Sequence, residues 1–177
     1  MYITATIILI LIFIDQLSKY LSQLFLVLDV EKVVINNFFS LTLEYNTGAA
    51  WSMGNDATWV LVIISLLGCV ILGFLTFKNN WKVAKFKSAA LSMAFAGCAG
   101  NLFDRIITIT PLSEARPGVV DMITFKPFDW LCQALHLGVT VFNVADIYLV
   151  VGLILFAIDL IFIDDRRKKK YGKDYNL

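Results

Sequence analysis

Four apolar runs, residues 3–28, 58–77, 88–107 and 141–163, are each long enough to cross roughly 30 Å of hydrocarbon as a helix. The second carries no charge. Between these runs the pattern changes. Phe39 to Tyr45 alternates strictly between apolar and polar residues, and Val119 to Phe125 is rich in β-branched residues, so both segments predict strands. The expected architecture is an all-α membrane protein with four transmembrane helices and a small extracytoplasmic β-sheet, built as one domain over residues 1–177. The sheet comes from the connections 29–57 and 108–140, and a basic tail follows at 164–177. Pro111, Pro117-Gly118 and Pro127 punctuate the second connection, and Trp130 to His136 is expected at the membrane interface, where Trp is favoured.

Composition agrees with the spans. The chain is 59% hydrophobic, against the roughly 45–50% typical of soluble domains, and its mean hydropathy is +0.76. Net charge of +1 says little, but its distribution sets an orientation. Lys78, Lys82, Lys85 and Lys87 lie between the second and third runs, and Arg166, Arg167, Lys168, Lys169, Lys170 and Lys173 lie in the tail. The two long connections hold only Lys32, Arg116 and Lys126. Both termini are therefore expected in the cytoplasm and both long connections outside. The basic tail reads as a topology and headgroup anchor rather than a nucleic-acid patch. The first run is expected to be a retained helix and not a cleaved leader, since it holds Asp15 and Lys19 and no small-x-small site follows it before Asp29. Cys69, Cys98 and Cys132 have no metal spacing and are read as packing residues.

Polar residues inside apolar runs are the candidate chemistry. An unpaired charge at the bilayer centre costs roughly 2.5–3.5 kcal/mol or more, so Asp146 in the fourth run is a functional candidate by default. Asn143, three residues earlier, is expected on the same helical face. Asp15 and Lys19 form an i,i+4 pair, open to a structural or a substrate-contacting reading. Gly100 to Arg105 closes the third run with Asn101 and Asp104 at i,i+3, and a fork of donors from Arg105 is expected to hold Asp104. Asn46, Gly48 and Ser52 follow the first strand, where a simple turn is the alternative. Asp121 lies in the second connection. Running the third helix outward and the fourth inward brings Asp104 and Asp146 to one face of the membrane. Asp159, Asp164 and Asp165 fall at the other end and read as solvated charges, and His136 lacks a matching nucleophile for a triad.

At these residues the chain resembles the lipoprotein signal peptidases, also called signal peptidase II. Five blocks match in order: Asp15-Gln16-Leu17-Ser18-Lys19, Asn46-Thr47-Gly48-Ala49-Ala50-Trp51-Ser52, Gly100-Asn101-Leu102-Phe103-Asp104-Arg105, Val119-Val120-Asp121, and Phe142-Asn143-Val144-Ala145-Asp146. Each block alone is weak; together and in order they span nearly the whole chain. Met122 departs from the family's more usual Phe, and the segments flanking Asp121 are longer than usual.

The resemblance implies a membrane aspartyl endopeptidase of the bacterial cytoplasmic membrane, with Asp121 and Asp146 as the catalytic pair. It assigns Asp15, Lys19, Asn46, Gly48, Asn101, Asp104, Arg105 and Asn143 to support or substrate binding. The implied substrate is a diacylglyceryl-modified prolipoprotein, cut before the lipidated Cys. The expected partners are that precursor and membrane lipid, with no nucleic acid, no cofactor and no metal, and the expected state is a monomer. Two rivals come from other classes. A transporter would show matching broken helices in an inverted repeat, which the sequence lacks. A metal-dependent lipid transferase would use Asp104, Asp121 and Asp146 as oxygen ligands for Mg²⁺ and would be stopped by a chelator.

Overall fold

The computed structural model describes residues 2–47, 56–111, 117–134 and 141–172. In chain order these form α1 (Tyr2–Phe25), β1 (Lys32–Ile35), β2 (Phe39–Asn46), α2 (Asp56–Lys78), α3 (Lys85–Thr108), β3 (Val119–Phe125), α4 (Lys126–Ala134), β4 (Val141–Phe142) and α5 (Val144–Ile158). A π-helical turn (Asp159–Ile163) and α6 (Asp164–Tyr171) complete the chain. Tyr2–Phe25, Trp59–Lys78 and Val144–Tyr171 are long and apolar enough to cross a membrane. The described residues are thus mostly helical, with three membrane-capable helices and a small antiparallel sheet. α3 matches them in length at 24 residues, but its serines, Asn101 and charged ends make it less apolar.

Contacts divide the chain into two compact units, one of residues 1–14, 63–102 and 145–177, the other of 15–62 and 103–144. In the first, α3 is the small-residue helix against which others pack. Leu72 of α2 and Leu91, Ala94 and Cys98 of α3 form its core, flanked by Cys69, Phe95, Leu149 and Phe156. A side chain at Gly152 of α5 would meet the backbone of Ala90 and Ala94, and one at Gly97 of α3 would run into the Ala145 carbonyl and the Leu149 nitrogen. Small residues let the backbones of α3 and α5 approach closely, which is how helices gain packing energy where lipid removes the hydrophobic drive. Side-chain hydroxyls inside the helices bond back one turn: Thr76 donates to the Leu72 carbonyl at 2.6 Å and Ser92 to the Ser88 carbonyl at 2.7 Å. All three cysteines are free, as the spacing predicted, and Cys69 lies against Cys98 at 3.3 Å between sulfurs.

The charged end of this unit corrects the sequence reading. Asp159 and Asp164 are buried rather than solvated, and only Asp165 is exposed. Arg167 bonds Asp159 and reaches Asp164 at 3.2 Å, while Lys87 and Lys168 also meet Asp164. The π-helical turn at Asp159–Ile163 is where the helix departs from α geometry beside these residues.

The second unit holds the sheet, ordered β1-β2-β3-β4 and antiparallel throughout. Both expected strands are present, but β1 and β4 were not foreseen. β4 takes Val141 and Phe142, which the apolar run had assigned to the fourth helix; Phe142 pairs with Ile123, and Val141 with Thr124. Leu43, Val120 and Met122 form the core, so Met122 fills an ordinary apolar packing position. The alternation in β2 does not bury the apolar face alone: Ser40 and Thr42 are buried with Leu43, because Ser40 donates to Glu31 at 2.5 Å and Thr124 to Thr42 at 3.4 Å. Lys126 also meets Glu31 at 2.5 Å. The bonds from Lys126 and Ser40 hold the Glu31 carboxyl below its ordinary range, so what it contributes is present at neutral pH and lost as acid takes the solution through that lowered value. Asn37, in the tight turn between β1 and β2, takes the left-handed conformation that Asn tolerates. Trp130 on α4 is 75% exposed.

Candidate active site

Asp121 lies in the middle of β3, 3% exposed. Its two oxygens are each met by a carboxamide: Asn143 donates to Oδ1 at 2.7 Å and Asn46 to Oδ2 at 3.0 Å. The register explains Asn46. Glu44 pairs with Asp121 and Asn46 with Val119, so Asn46 is the diagonal neighbour of Asp121 on one face of the sheet. The register shift between Leu41 and Glu44 sets which side chains reach that face. Gly118 makes the approach possible, since a side chain there would meet the Asn46 backbone at 2.8 Å.

Asn143 reaches Asp121 because it is not helical. It stands between β4 and the first residue of α5, a position suited to Asn, so it does not share a helical face with Asp146 as its spacing had suggested. The strand pairing of Val141 and Phe142 is what holds this residue out of the helix. Asp146 falls in the first turn of α5, where the helix dipole favours a carboxylate, and is half-buried. Asn101 of α3, 5% exposed, donates to Asp146 Oδ1 at 2.7 Å. Gly97 lies one turn before Asn101 on the same face, so the close approach of α3 to Ala145 brings the amide within reach. Gly97→Leu is expected to force these helices apart, lowering the thermal unfolding temperature of purified protein and its activity together, since overpacking alone costs about 1–3 kcal/mol. An unchanged melting temperature would mean the contact is softer than its geometry.

A third cluster lies in the second unit. Lys19 bonds Asp15 at 2.9 Å and Asp104 at 2.7 Å, and all three side chains are fully buried. The Asp15–Lys19 pair is as predicted from its spacing. Asp104 also meets Lys19 on α1, a partner the sequence did not single out beside the adjacent Arg105. Gln16, which that reading left without a role, donates to Asp15 at 3.0 Å and to Asp104 at 3.3 Å. Its position three residues before Lys19 was the available signal. Arg105 lines a small cleft with Asn46, Thr47, Thr108, Pro117 and Gly118. Gly48, Ser52 and His136 lie outside the described residues.

Glu44 was also passed over. It is half-buried opposite Asp121, and burial, reinforced by Asp29 and Asp129, raises its carboxyl above the ordinary range.

Three membrane-capable helices, with Asp121 held by Asn46 and Asn143 and Asp146 held by Asn101, are consistent with a membrane enzyme. Two solved bacterial membrane enzymes share this chain's fold. One has a TM-score of 0.73 and 27% identity over 92% of this chain and 95% of its own; the other has a TM-score of 0.69 and 26% identity over 98% and 93%. The family model for signal peptidase (SPase) II matches residues 7–162, and the chain belongs to that family of peptidases. Its relatives include the lipoprotein signal peptidase of Enterococcus faecalis, 36% identical over 93% of this chain and 89% of that protein. The Clostridium acetobutylicum protein of the same name is 34% identical over 90% and 94%.

Proposed function

We propose that residues 1–177 work as a single membrane peptidase domain that removes signal peptides from diacylglyceryl-modified prolipoproteins, cutting before the lipidated Cys, with Asp121 and Asp146 as the catalytic pair. The observation that carries the pairing is the carboxamide arrangement: Asn143 and Asn46 hold Asp121, Asn101 holds Asp146, and Asn143 lies only three residues from Asp146 along the chain. Donors of this kind fix the direction of a carboxylate. An aspartyl peptidase works with one carboxylate of its pair ionised and the other protonated, which supplies a base and an acid together.

The ionised aspartate takes a proton from water as the water oxygen bonds to the scissile carbonyl carbon. The protonated aspartate hydrogen-bonds the carbonyl oxygen. Collapse of the tetrahedral species breaks the C–N bond, and a proton from the pair goes to the departing amine. No covalent acyl-enzyme forms. Asp15, Lys19, Gln16 and Asp104 brace the helices that carry this chemistry, and Arg105 beside Asn46 is placed to meet the substrate backbone.

The same reading makes α3 the fourth span. Its length suits a crossing, and its polar and small residues are supported by the burial of Ser88, Ser92, Ala94 and Asn101 away from lipid. Both termini are cytoplasmic, the sheet is outside, and the enzyme works as a monomer in the bacterial cytoplasmic membrane. A membrane-impermeant thiol reagent tests the orientation. With native cysteines replaced by Ala, a cysteine at Ser113 should be labelled in intact cells and one at Asn79 only after permeabilisation; the reverse would overturn the topology.

The activity is tested by incubating purified enzyme with a lipidated precursor. Release of the signal peptide is expected, and it is expected to continue in excess chelator. Loss of cleavage in chelator would favour the carboxylates as metal ligands instead.

A further inference from the structure

At the lysine-rich end of the first unit, a groove of about 480 Å³ opens among α2, α3 and α5. Leu75, Leu91, Phe156 and Leu160 form its apolar walls, and Lys78 and Lys87 stand among them. Phe156 and Leu160 lie ten and fourteen residues beyond Asp146, roughly 15–21 Å along the helix, so this groove is remote from Asp146. We propose that it is a binding site for one anionic phospholipid, with the phosphodiester between Lys78 and Lys87 and an acyl chain along the leucine and phenylalanine walls.

Charge is what distinguishes this groove from an ordinary lipid-facing surface. Asp159 and Asp164 face three cations, Lys87, Arg167 and Lys168, which leaves one positive charge in excess. Lys78 adds a second, its ammonium lying over the Phe74 ring. Lys87 is firmly positioned: its side chain is 17% exposed, 3.4 Å from Asp164 and over the Phe156 ring. Asn79, also lining the groove, is held by its bond to Ser88 at 2.6 Å. Fixed cations at the mouth of an apolar slot between membrane helices match the two halves of a phospholipid, and neither half alone accounts for both features. A zwitterionic lipid brings its own cation against the lysines and loses that advantage.

The test uses the full-length protein, delipidated in neutral detergent and titrated with phosphatidylglycerol, with bound lipid counted by native mass spectrometry. One tightly retained phosphatidylglycerol per chain is expected, with phosphatidylethanolamine held more weakly. Lys78→Ala, at an exposed position, should weaken retention about fivefold, whereas Lys85→Ala, outside the groove, should not. Leu160→Trp should fill the slot and expel the lipid with both lysines intact. Lys87→Gln also disturbs Asp164, so Lys78→Ala carries the test. Equal retention of the two lipids, unchanged retention in Lys78→Ala, or displacement of the lipid by millimolar inorganic phosphate would each overturn the proposal.

Discussion

Asp121→Asn and Asp146→Asn are each expected to abolish nearly all cleavage of a lipidated precursor while the proteins still insert and bind it. The replacement keeps shape and hydrogen-bonding capacity but removes the group that exchanges a proton, and positioned acid–base groups contribute on the order of 10²–10⁴-fold. Losses of that size in single-turnover cleavage, with precursor binding retained, are the anticipated result. Because the aspartates act as a unit, the double variant should be little worse than either single one. Near-normal turnover by either single variant would remove that residue from the chemistry. Asn143→Ala and Asn101→Ala should reduce turnover less than the aspartate changes, since each removes one orienting bond and leaves the carboxylate in place.

Lys19→Met is expected to give the largest structural loss in the protein. It would leave Asp15 and Asp104 facing one another, fully buried, with no ammonium between them. Breaking a buried pair from one side costs about 3–5 kcal/mol, a large share of an ordinary stability of about 5–15 kcal/mol. Folded yield from membranes and the thermal unfolding temperature should both fall. Lys19→Met combined with Asp104→Asn should recover part of the loss, because the second change removes a stranded charge. Failure of the double variant to recover anything would show that Lys19 matters through packing and not charge. Asp159→Asn should also cost yield, since it deprives buried Arg167 of a carboxylate, whereas Asp165→Asn, at an exposed position, should not.

What these variants probe was unequally readable along the chain. The solved relatives share the fold, yet the roles of Lys19, Gln16 and Asn143 come from this chain's own contacts. The clustering of Asp15, Lys19 and Asp104 combines an i,i+4 pair, evident from spacing, with a partner 85 positions away in the sequence. Nothing local could foresee that Lys19 meets Asp104, because only the packing of one helix on another decides which distant cation a buried carboxylate receives.

The sequence by itself determined the membrane class, three of the four expected spans, the two central strands, the free cysteines and the family, because hydrophobic run length and period are local properties and the five motif blocks are contiguous. It also offered Asp146 as a candidate, since a carboxylate amid apolar residues is costly wherever the chain folds, whereas Asp121 was offered by the resemblance. Only the tertiary structure decided the rest. Pairing with β3 drew Val141 and Phe142 out of the helix and left Asn143 free to hold Asp121. Hydroxyl partners across strands buried Ser40 and Thr42. Arg167, returning on α6, brought Asp159 and Asp164 out of solvent. In each case the outcome depends on a polar partner remote in sequence or beyond a helical break, and the energy of a buried polar group is set by whether that partner arrives.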